Sequence, residues 1–255
     1  MISQLKFNGQ RVIVTGAGQG IGQACAEVLG ELGAQVLLVG RTAEKLEKVR
    51  AALAKSHVAS EAHAVDVAVE SEVLAFTQKI AASGPPIKAL INNAGTNLVK
   101  RLEDLENADW HRLMAIDLHS VYYLCRGFMP LLEKAPGGGA IVNVASTFGI
   151  IGSPGMPVYC AAKGGVLALT RQLAVDYGPR GVRVNAVCPG PTLSPRVRGY
   201  VESNMVDGEA TRKMVPLGRF AQCREAANAI VFLASGAASF FNGAAVVVDG
   251  GQTIQ

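Results

Sequence analysis

Short runs of consecutive apolar, β-branched residues recur along the chain and alternate with longer segments of helical periodicity. Consecutive apolar positions are typical of strands that are covered on both faces, as they are in a parallel sheet. The pattern predicts seven strands, at Arg11–Thr15, Gln35–Val39, Glu61–Val65, Ala89–Asn92, Ala140–Val144, Val182–Val187 and Ala244–Val248.

The segments between these runs predict helices, and Thr42 is expected to cap the second of them through its hydroxyl. Strands that alternate with helices imply right-handed crossovers. We therefore expect an α/β fold, a doubly wound (Rossmann), mainly parallel seven-stranded sheet with helices on both faces. The predicted helices are Gly20–Leu32, Thr42–Ala54, Val69–Ala82, Ala108–Glu133, Val158–Tyr177 and Arg224–Ala234.

The pattern contains no segment with the composition of a linker, so we expect a single domain over residues 1–255. Its least regular stretch runs from about residue 189 to residue 218. Long loops in such sheets are often functional, and this stretch is the best candidate for a mobile substrate lid.

Composition narrows the class of protein. Hydrophobic residues make up 49% of the chain and charged residues 17%, against roughly 25% charged in ordinary globular proteins, which excludes disorder and suggests surface hidden in subunit contacts. The net charge is +4, but its 24 basic residues are scattered. Without a block of like charges, we expect neither a nucleic-acid partner nor a membrane partner.

The cysteines and the first residues indicate the compartment. Five cysteines contain no C-x-x-C pair, so we expect no disulfide framework and no metal site. The first ten residues lack the apolar core of a signal peptide. We expect a soluble protein of the reducing cytoplasm.

A glycine-rich turn follows the first strand, with glycines at positions 16, 20 and 22 just before a predicted helix. Glycines permit a tight turn and a close approach of the backbone to a pyrophosphate, which would face the positive end of that helix. The spacing differs from the common G-x-G-x-x-G fingerprint, so the turn alone is a weak signal. The turn residues expected to contact a dinucleotide are Gly16, Gly18, Gln19, Gly20 and Ile21.

The second strand ends beside Gly40, Arg41 and Thr42, where an NAD site usually carries an acid for the ribose 2′-hydroxyl. No carboxylate stands there to repel a 2′-phosphate, and a guanidinium can hold one with two parallel hydrogen bonds. Thr42 would add a further hydrogen bond. We therefore expect NADP as the cofactor, with NAD less favoured.

Tyr159 and Lys163 are four residues apart in a predicted helix and so share one face. Ser146 follows the fifth strand, whose end lies at the edge of the sheet where ligands bind. A lysine ammonium and the positive ring of an oxidised nicotinamide favour a phenolate. We expect Tyr159 to give its proton to a carbonyl oxygen as hydride reaches the carbon, while Ser146 stabilises that oxygen.

With these residues in this order, the chain resembles the short-chain dehydrogenase/reductases from Gly9 to Gly251. The family's catalytic serine, tyrosine and lysine match Ser146, Tyr159 and Lys163. The resemblance further implies cofactor contacts by several segments beyond the glycine turn. These are Asp66 and Val67 at the adenine, Asn93, Ala94 and Gly95 beside the adenosine ribose, Pro189 and Gly190, and Thr192 at the nicotinamide carboxamide. Tyr159 and Lys163 are also counted among the cofactor contacts. The last match to the family's motifs is Asp249–Gly251.

One position departs from the family pattern. Seven residues after Trp110 such proteins usually have an asparagine, which helps to hold a helix kink and a water that links the lysine to solvent; this chain has Asp117. An ionised aspartate accepts hydrogen bonds but does not donate them. We count Asp117 among the candidate catalytic residues and expect it to stabilise the Lys163 ammonium, to oppose the phenolate and to shift the pH optimum.

The resemblance implies an oxidoreductase that interconverts a ketone and a secondary alcohol of a small molecule. A 3-oxoacyl-carrier-protein reductase and a sugar or polyol dehydrogenase stay open as alternatives, the first needing basic docking residues such as Arg126 and Arg180. A hypothesis of another class is a scaffold that senses NADP without turnover. The family commonly forms homotetramers, so we expect one here.

Overall fold

The structure, a computed structural model that describes residues 2–254, is built around one seven-stranded sheet. Every pair of neighbouring strands is parallel, in the order β3-β2-β1-β4-β5-β6-β7. The predicted α/β class and doubly wound sheet are confirmed. The strands are β1 Arg11–Thr15, β2 Gln35–Gly40, β3 Ser60–Ala64, β4 Ile87–Asn92, β5 Gly139–Val144, β6 Val182–Pro189 and β7 Ala245–Val248.

Five of the six predicted helices begin and end within a residue of their predicted bounds. Within residues 2–254, ten helices cover both faces of the sheet. They are α1 Ile2–Leu5, α2 Gly20–Glu31, α3 Ala43–Lys55, α4 Glu70–Ala81, α5 Asn107–Met114, α6 Ser120–Leu132, α7 Pro157–Tyr177, α8 Pro195–Glu202, α9 Gly208–Lys213 and α10 Cys223–Ala234. Short 3₁₀ turns lie at 147–149, 178–180, 236–238 and 252–254.

The core lies in two layers, one on each face of the sheet. Along β1, Val12 and Val14 point into the layer under α2, α3 and α10, whereas Ile13 points into the layer under α4, α6 and α7. Successive side chains of a strand point to opposite faces, so β1 buries both of its rows. Burying each such side chain contributes about 1.5–3 kcal/mol to the free energy of unfolding. This packing holds the central strands, and therefore their carboxyl ends, in place.

The expectation that every strand is covered on both faces is wrong for the two edge strands. In β3 only His63 is fully buried, and in β7 Ala245 and Val247 are exposed. An edge strand has a neighbour on one side only, and the flanking helices cover less of its surface. Apolar run length in the sequence does not distinguish these strands from central ones.

The helix predicted over Ala108–Glu133 does run without a break from Asn107 to Leu132, but an unpredicted π-helical turn at Ala115–His119 divides it into α5 and α6. A π turn inserts an extra residue into the helical ladder, often at a functional site. Here it directs Asp117, which is fully buried, toward the centre of the molecule.

The segment 189–218 carries two short helices, α8 and α9, rather than irregular chain alone. Ser194 caps α8 by accepting a hydrogen bond from Val197 N at 3.3 Å. Asp207 caps α9 by accepting from Glu209 N and Ala210 N at 2.9 and 3.0 Å. Side-chain caps of this kind satisfy amide groups that the helix itself leaves free.

Residues 2–254 contain no candidate membrane span and no candidate metal site. No helix there is both long and apolar enough to cross a membrane. No group of three or more histidine, cysteine or acidic side chains there has the arrangement to hold a metal ion, and all five cysteines are free thiols.

Candidate active site

The carboxyl ends of β1, β4, β5 and β6 meet at one edge of the sheet, the usual place for a ligand in an open parallel sheet. Most of the sequence-predicted residues lie in the loops and helix starts that follow these four strands. Arg41 and Thr42 follow β2, and Asp66 and Val67 follow β3.

The glycine turn after β1 is closed by backbone contacts that leave no room for side chains. Gly16 and Gly20 have φ angles of +64° and +61°, which favour glycine. A Cβ on Gly22 would stand 2.3 Å from Gly16 O and 2.5 Å from Asn93 Nδ2. The start of α2 therefore packs directly on the turn.

The loops after β1 and β4 are tied together by Thr15. Its hydroxyl oxygen accepts hydrogen bonds from Asn93 N at 2.9 Å and Ala94 N at 3.0 Å, and Asn93 Nδ2 donates to Thr15 O at 2.8 Å. Two of the predicted adenosine-ribose contacts, Asn93 and Ala94, are thus held against the phosphate turn. Their backbone positions are set before any ligand binds.

The turn fits the pyrophosphate of a dinucleotide. Gln19 occupies the cap position of α2, but its side chain makes no capping hydrogen bond. The first amide groups of α2 are therefore not capped by Gln19, and they lie at the positive end of a 12-residue helix. Ile21, in the first turn of α2, packs against the core layer below.

Arg41 and Thr42 lie at the end of β2, beside the turn. The Arg41 guanidinium is 64% exposed, with Nη1 4.0 Å from Asp66 Oδ2. Thr42 does occupy the cap position of α3, but the predicted hydrogen bond from its side chain is absent, so its hydroxyl is not used as a cap. Beyond Asp66, Val67 is buried in the core layer under α4.

Lys163 lies at the centre of the site, on the same helix as Tyr159. Its ammonium donates to Val144 O at 3.0 Å, lies 3.3 Å from Asp117 Oδ1 and stands 5.6 Å from the centre of the Tyr159 ring. Ser146 follows β5, and its Oγ accepts from Phe148 N at 3.1 Å. The Ser146 O–H is left free to donate.

Asp117 and Lys163 form a buried ion pair whose two pKa values depend on each other. Burial raises the pKa of the Asp117 carboxyl, while Lys163 and the amide of Thr96 act to lower it. Burial lowers the pKa of Lys163, but the Asp117 carboxylate and Tyr159 act more strongly, and the net direction is upward. The lysine is therefore held as an ammonium.

Gly95 packs closely against the ion pair. A Cβ at this position would stand 2.7 Å from Asp117 Oδ1 and 3.4 Å from Lys163 Nζ. Thr96 N donates to both carboxylate oxygens of Asp117 at 3.2 Å. The backbone after β4 is thus a wall of the site as well as a predicted cofactor contact.

The segment after β6 completes the edge. Gly190 lies against Asp249, since a Cβ on Gly190 would stand 2.7 Å from the Asp249 Cβ. Thr192 Oγ1 donates to Gly190 O at 3.0 Å, a hydrogen bond within the loop that follows β6. Thr192 as a whole is buried, with 6% of its surface exposed.

Three residues at this edge are not among the site residues expected from the sequence. Lys45 packs over Gly18, and its ammonium donates to Gln19 Oε1 at 3.0 Å. Ser194 lies 3.4 Å from the position of a Cβ on Gly20. Arg196 donates to Gly95 O. A Ser-Pro pair is a signal for a helix start and marks Ser194, but no local pattern marks the other two.

The parallel sheet, the phosphate turn and the Tyr159–Lys163 pair together define a nucleotide-binding oxidoreductase of the Rossmann type. The family model described as enoyl-(acyl carrier protein) reductase matches residues 16–253. The chain belongs to the short-chain dehydrogenase/reductase family and is an enzyme of that family.

Two relatives and one solved structure illustrate the likeness. D-Threitol dehydrogenase of Mycolicibacterium smegmatis is 38% identical over 250 residues, which cover 98% of this chain and 95% of the relative. Cis-4-hydroxycyclohexanecarboxylate dehydrogenase of Sinomonas cyclohexanicum is 42% identical over 248 residues, with 97% and 98% covered. A gluconate 5-dehydrogenase of Burkholderia cenocepacia, solved with NADP and tartrate, superposes with a TM-score of 0.93 at 31% identity, with 100% and 99% covered.

Proposed function

We propose that this chain is an NADP-preferring dehydrogenase/reductase that interconverts a secondary alcohol and a ketone on a polyol or a hydroxy acid. The observation that carries the proposal is the buried ammonium of Lys163, held between Val144 O and Asp117 and directed at the Tyr159 ring. A fixed positive charge beside a phenol is the arrangement that general acid–base chemistry needs.

Tyr159 acts in this proposal as the general acid and base. In reduction its O–H bond breaks and the proton goes to the carbonyl oxygen, while the Lys163 ammonium stabilises the phenolate that forms. The Ser146 O–H donates to the same oxygen as negative charge develops on it. When bound, the nicotinamide dinucleotide supplies the hydride for reduction or accepts it in oxidation.

The preference for NADP is supported at the end of β2. Arg41 is exposed and has one carboxylate partner at 4.0 Å, a loose contact that a phosphate can replace. The hydroxyl of Thr42 is free of a capping bond, and Lys45 in the first turn of α3 adds a second positive charge near Gly18. The solved relative from Burkholderia cenocepacia holds NADP.

The substrate class is supported by the relatives, whose names specify a polyol, a hydroxylated cyclic acid and a sugar acid. The carrier-protein alternative finds less support. Arg126 pairs with Glu70 at 2.9 Å and Arg180 pairs with Glu133 at 2.8 Å, so both of its candidate docking residues are already neutralised.

The small-molecule substrate, the homotetramer, the single domain and the cytoplasmic location stay predictions of this proposal. The exposed Ala245 and Val247 of edge strand β7 support subunit contacts, because an apolar edge invites pairing with another copy. Light scattering at micromolar concentration should give four times the 26.6 kDa chain mass, and a monomer mass would contradict this part.

The deciding experiment measures turnover of NADP(H) with a panel of polyols, sugar acids and hydroxycyclohexane carboxylic acids and their ketones. Tyr159→Phe should abolish turnover while leaving NADPH binding intact. Tyr177→Phe, a matched change on the same helix, should keep activity. Absence of turnover by the parent chain, together with tight NADPH binding, would instead support the sensing scaffold.

A further inference from the structure

The segment 189–218 is fastened to the backbone after β4 by two side chains one helical turn apart on α8. Both Nη atoms of Arg196 donate to Gly95 O at 3.1 Å, and Tyr200 Oη donates to Asn97 Oδ1 at 3.3 Å. Residues four apart on a helix share a face, so these two contacts dock one face of α8 on the loop.

The carbonyl that receives Arg196 belongs to the same peptide unit as the amide that holds Asp117. Gly95 O accepts from the guanidinium, and Thr96 N donates to both oxygens of the carboxylate. A peptide unit is planar and rigid, so a group that fixes its oxygen also fixes the direction of its N–H. Hydrogen bonds on the two ends of one amide also polarise each other.

We propose that Arg196 is a positioning residue that couples docking of the segment 189–218 to the charge state of the Asp117–Lys163 pair through the Gly95–Thr96 peptide. The inference rests on the proposed function, because that pair is the source of the charge beside Tyr159. Undocking of α8 removes the guanidinium from Gly95 O and loosens the hold of Thr96 N on the carboxylate.

Arg196 is suited to this role because no carboxylate of the described residues pairs with its guanidinium. Within residues 2–254 no carboxylate lies within ion-pair distance of its guanidinium, whereas Lys213 in the same segment pairs with Glu209 at 2.9 Å. Arg198, two residues further along α8, is exposed and makes no side-chain hydrogen bond or ion pair in that range. The two arginines provide a matched pair for experiment.

The direction of the coupling follows from the charges around the pair. Besides each other, the groups that act on Asp117 or Lys163 are the Thr96 amide, Tyr159 on α7 and Arg196 on α8. The thiol of Cys188 on β6 also faces the pair, since Lys163 acts to lower its pKa. Arg196 acts to lower the pKa of both members of the pair, and burial keeps Cys188 a thiol by raising its pKa to about 11. Loss of Arg196 should therefore move the titration of Asp117 upward.

The test follows the Asp117 carboxyl by carbon NMR in the full-length protein labelled at aspartate, with its signal assigned by its disappearance in Asp117→Asn. In Arg196→Gln the midpoint should rise by about half a pH unit, the effect expected from one charge across a partly solvated gap. Arg196→Lys, which keeps the charge but not the paired hydrogen bonds on Gly95 O, should restore only part of the difference, and Arg198→Gln should superimpose on the parent.

Steady-state rates give a second readout. In Arg196→Gln the acid limb of the kcat profile should move upward with the NMR midpoint, while NADPH binding at pH 8 stays within about twofold of the parent. Equal Asp117 midpoints in Arg196→Gln, Arg198→Gln and the parent would overturn the inference. Because the titration needs no turnover, a parent without activity would refute the proposed function and leave this result to stand separately.

Discussion

The carboxylate of Asp117 lies 3.3 Å from the ammonium of Lys163, and their side chains are 0% and 5% exposed. Taking two charges out of water is costly, and removal of one partner from such a pair typically costs about 3–5 kcal/mol. This chain keeps the pair because Lys163 also binds Val144 O and Asp117 also accepts from Thr96 N. Each of the two charged groups therefore has at least one polar partner besides the other member of the pair.

Replacement of Asp117 by asparagine should shift the pH dependence of kcat downward on its basic side. The carboxylate raises the pKa of Lys163, and without it burial and Arg196 act to lower that pKa against Tyr159 only. The ammonium is then lost at lower pH, and the basic limb should move by at least about one pH unit. Asp109→Asn, which removes a surface partner of Lys100, should leave the curve in place. Superimposable profiles for the parent and Asp117→Asn would discard this explanation.

Replacement of Arg41 by glutamine should weaken NADPH far more than NADH. A charge-assisted hydrogen bond is worth about 1.5–3 kcal/mol, so the KM for NADPH should rise about tenfold to hundredfold with the KM for NADH nearly unchanged. Lys45→Gln should have a smaller effect in the same direction. Lys55→Gln, an exposed change in the last turn of α3, serves as the control. Equal effects on NADPH and NADH would contradict the proposal that Arg41 binds the 2′-phosphate.

A methyl group at Gly22 should destabilise the phosphate turn. Its carbon would meet a backbone oxygen at 2.3 Å, and relief requires a backbone shift that costs about 1–3 kcal/mol. Gly22→Ala should lower the melting temperature and weaken NADPH in a fluorescence titration. Gly199→Ala, in α8 with no atom within 4 Å of the new carbon, should be neutral or stabilise by about 0.5–1 kcal/mol. A Gly22→Ala protein as stable as the parent would show that the turn is looser than the contacts indicate.

His63 should make the protein less stable in mild acid. It is buried against Phe76, with ring centres 5.1 Å apart, and burial together with Lys79 lowers its pKa from the ordinary 6.5 despite the nearby Glu61. Below pH 6.5 the unfolded chain binds a proton that the folded chain binds only at lower pH, so stability falls as pH falls through that range. Between pH 7.5 and 5.5 the loss in unfolding free energy should be smaller for His63→Asn than for the parent.

The exposed His57 provides the control for that measurement, since His57→Asn sits at a φ of +57°, which asparagine tolerates. It should keep the parental pH dependence. An identical loss in all three proteins would show that other groups dominate the acid side of the stability curve.

The sequence determined the class of fold and the phosphate turn. Runs such as Val12–Val14 are typical of strands covered on both faces, and their alternation with helical segments indicates a parallel sheet between helix layers. Gly16 and Gly20 specify a backbone conformation that few other residues adopt. Tyr159 and Lys163 share a helix face by spacing alone, so local sequence was sufficient for them as well.

The tertiary structure decided which groups meet across the site. The π turn that buries Asp117, the docking of Arg196 on Gly95 O and the contact of Lys45 with Gly18 join residues from separate elements. The exposed faces of β3 and β7 likewise depend on where each strand lies in the sheet order. Hydrophobic periodicity indicates which face of one segment is buried. Contacts between residues of different segments depend on how the segments pack, and no local sequence pattern specifies that packing.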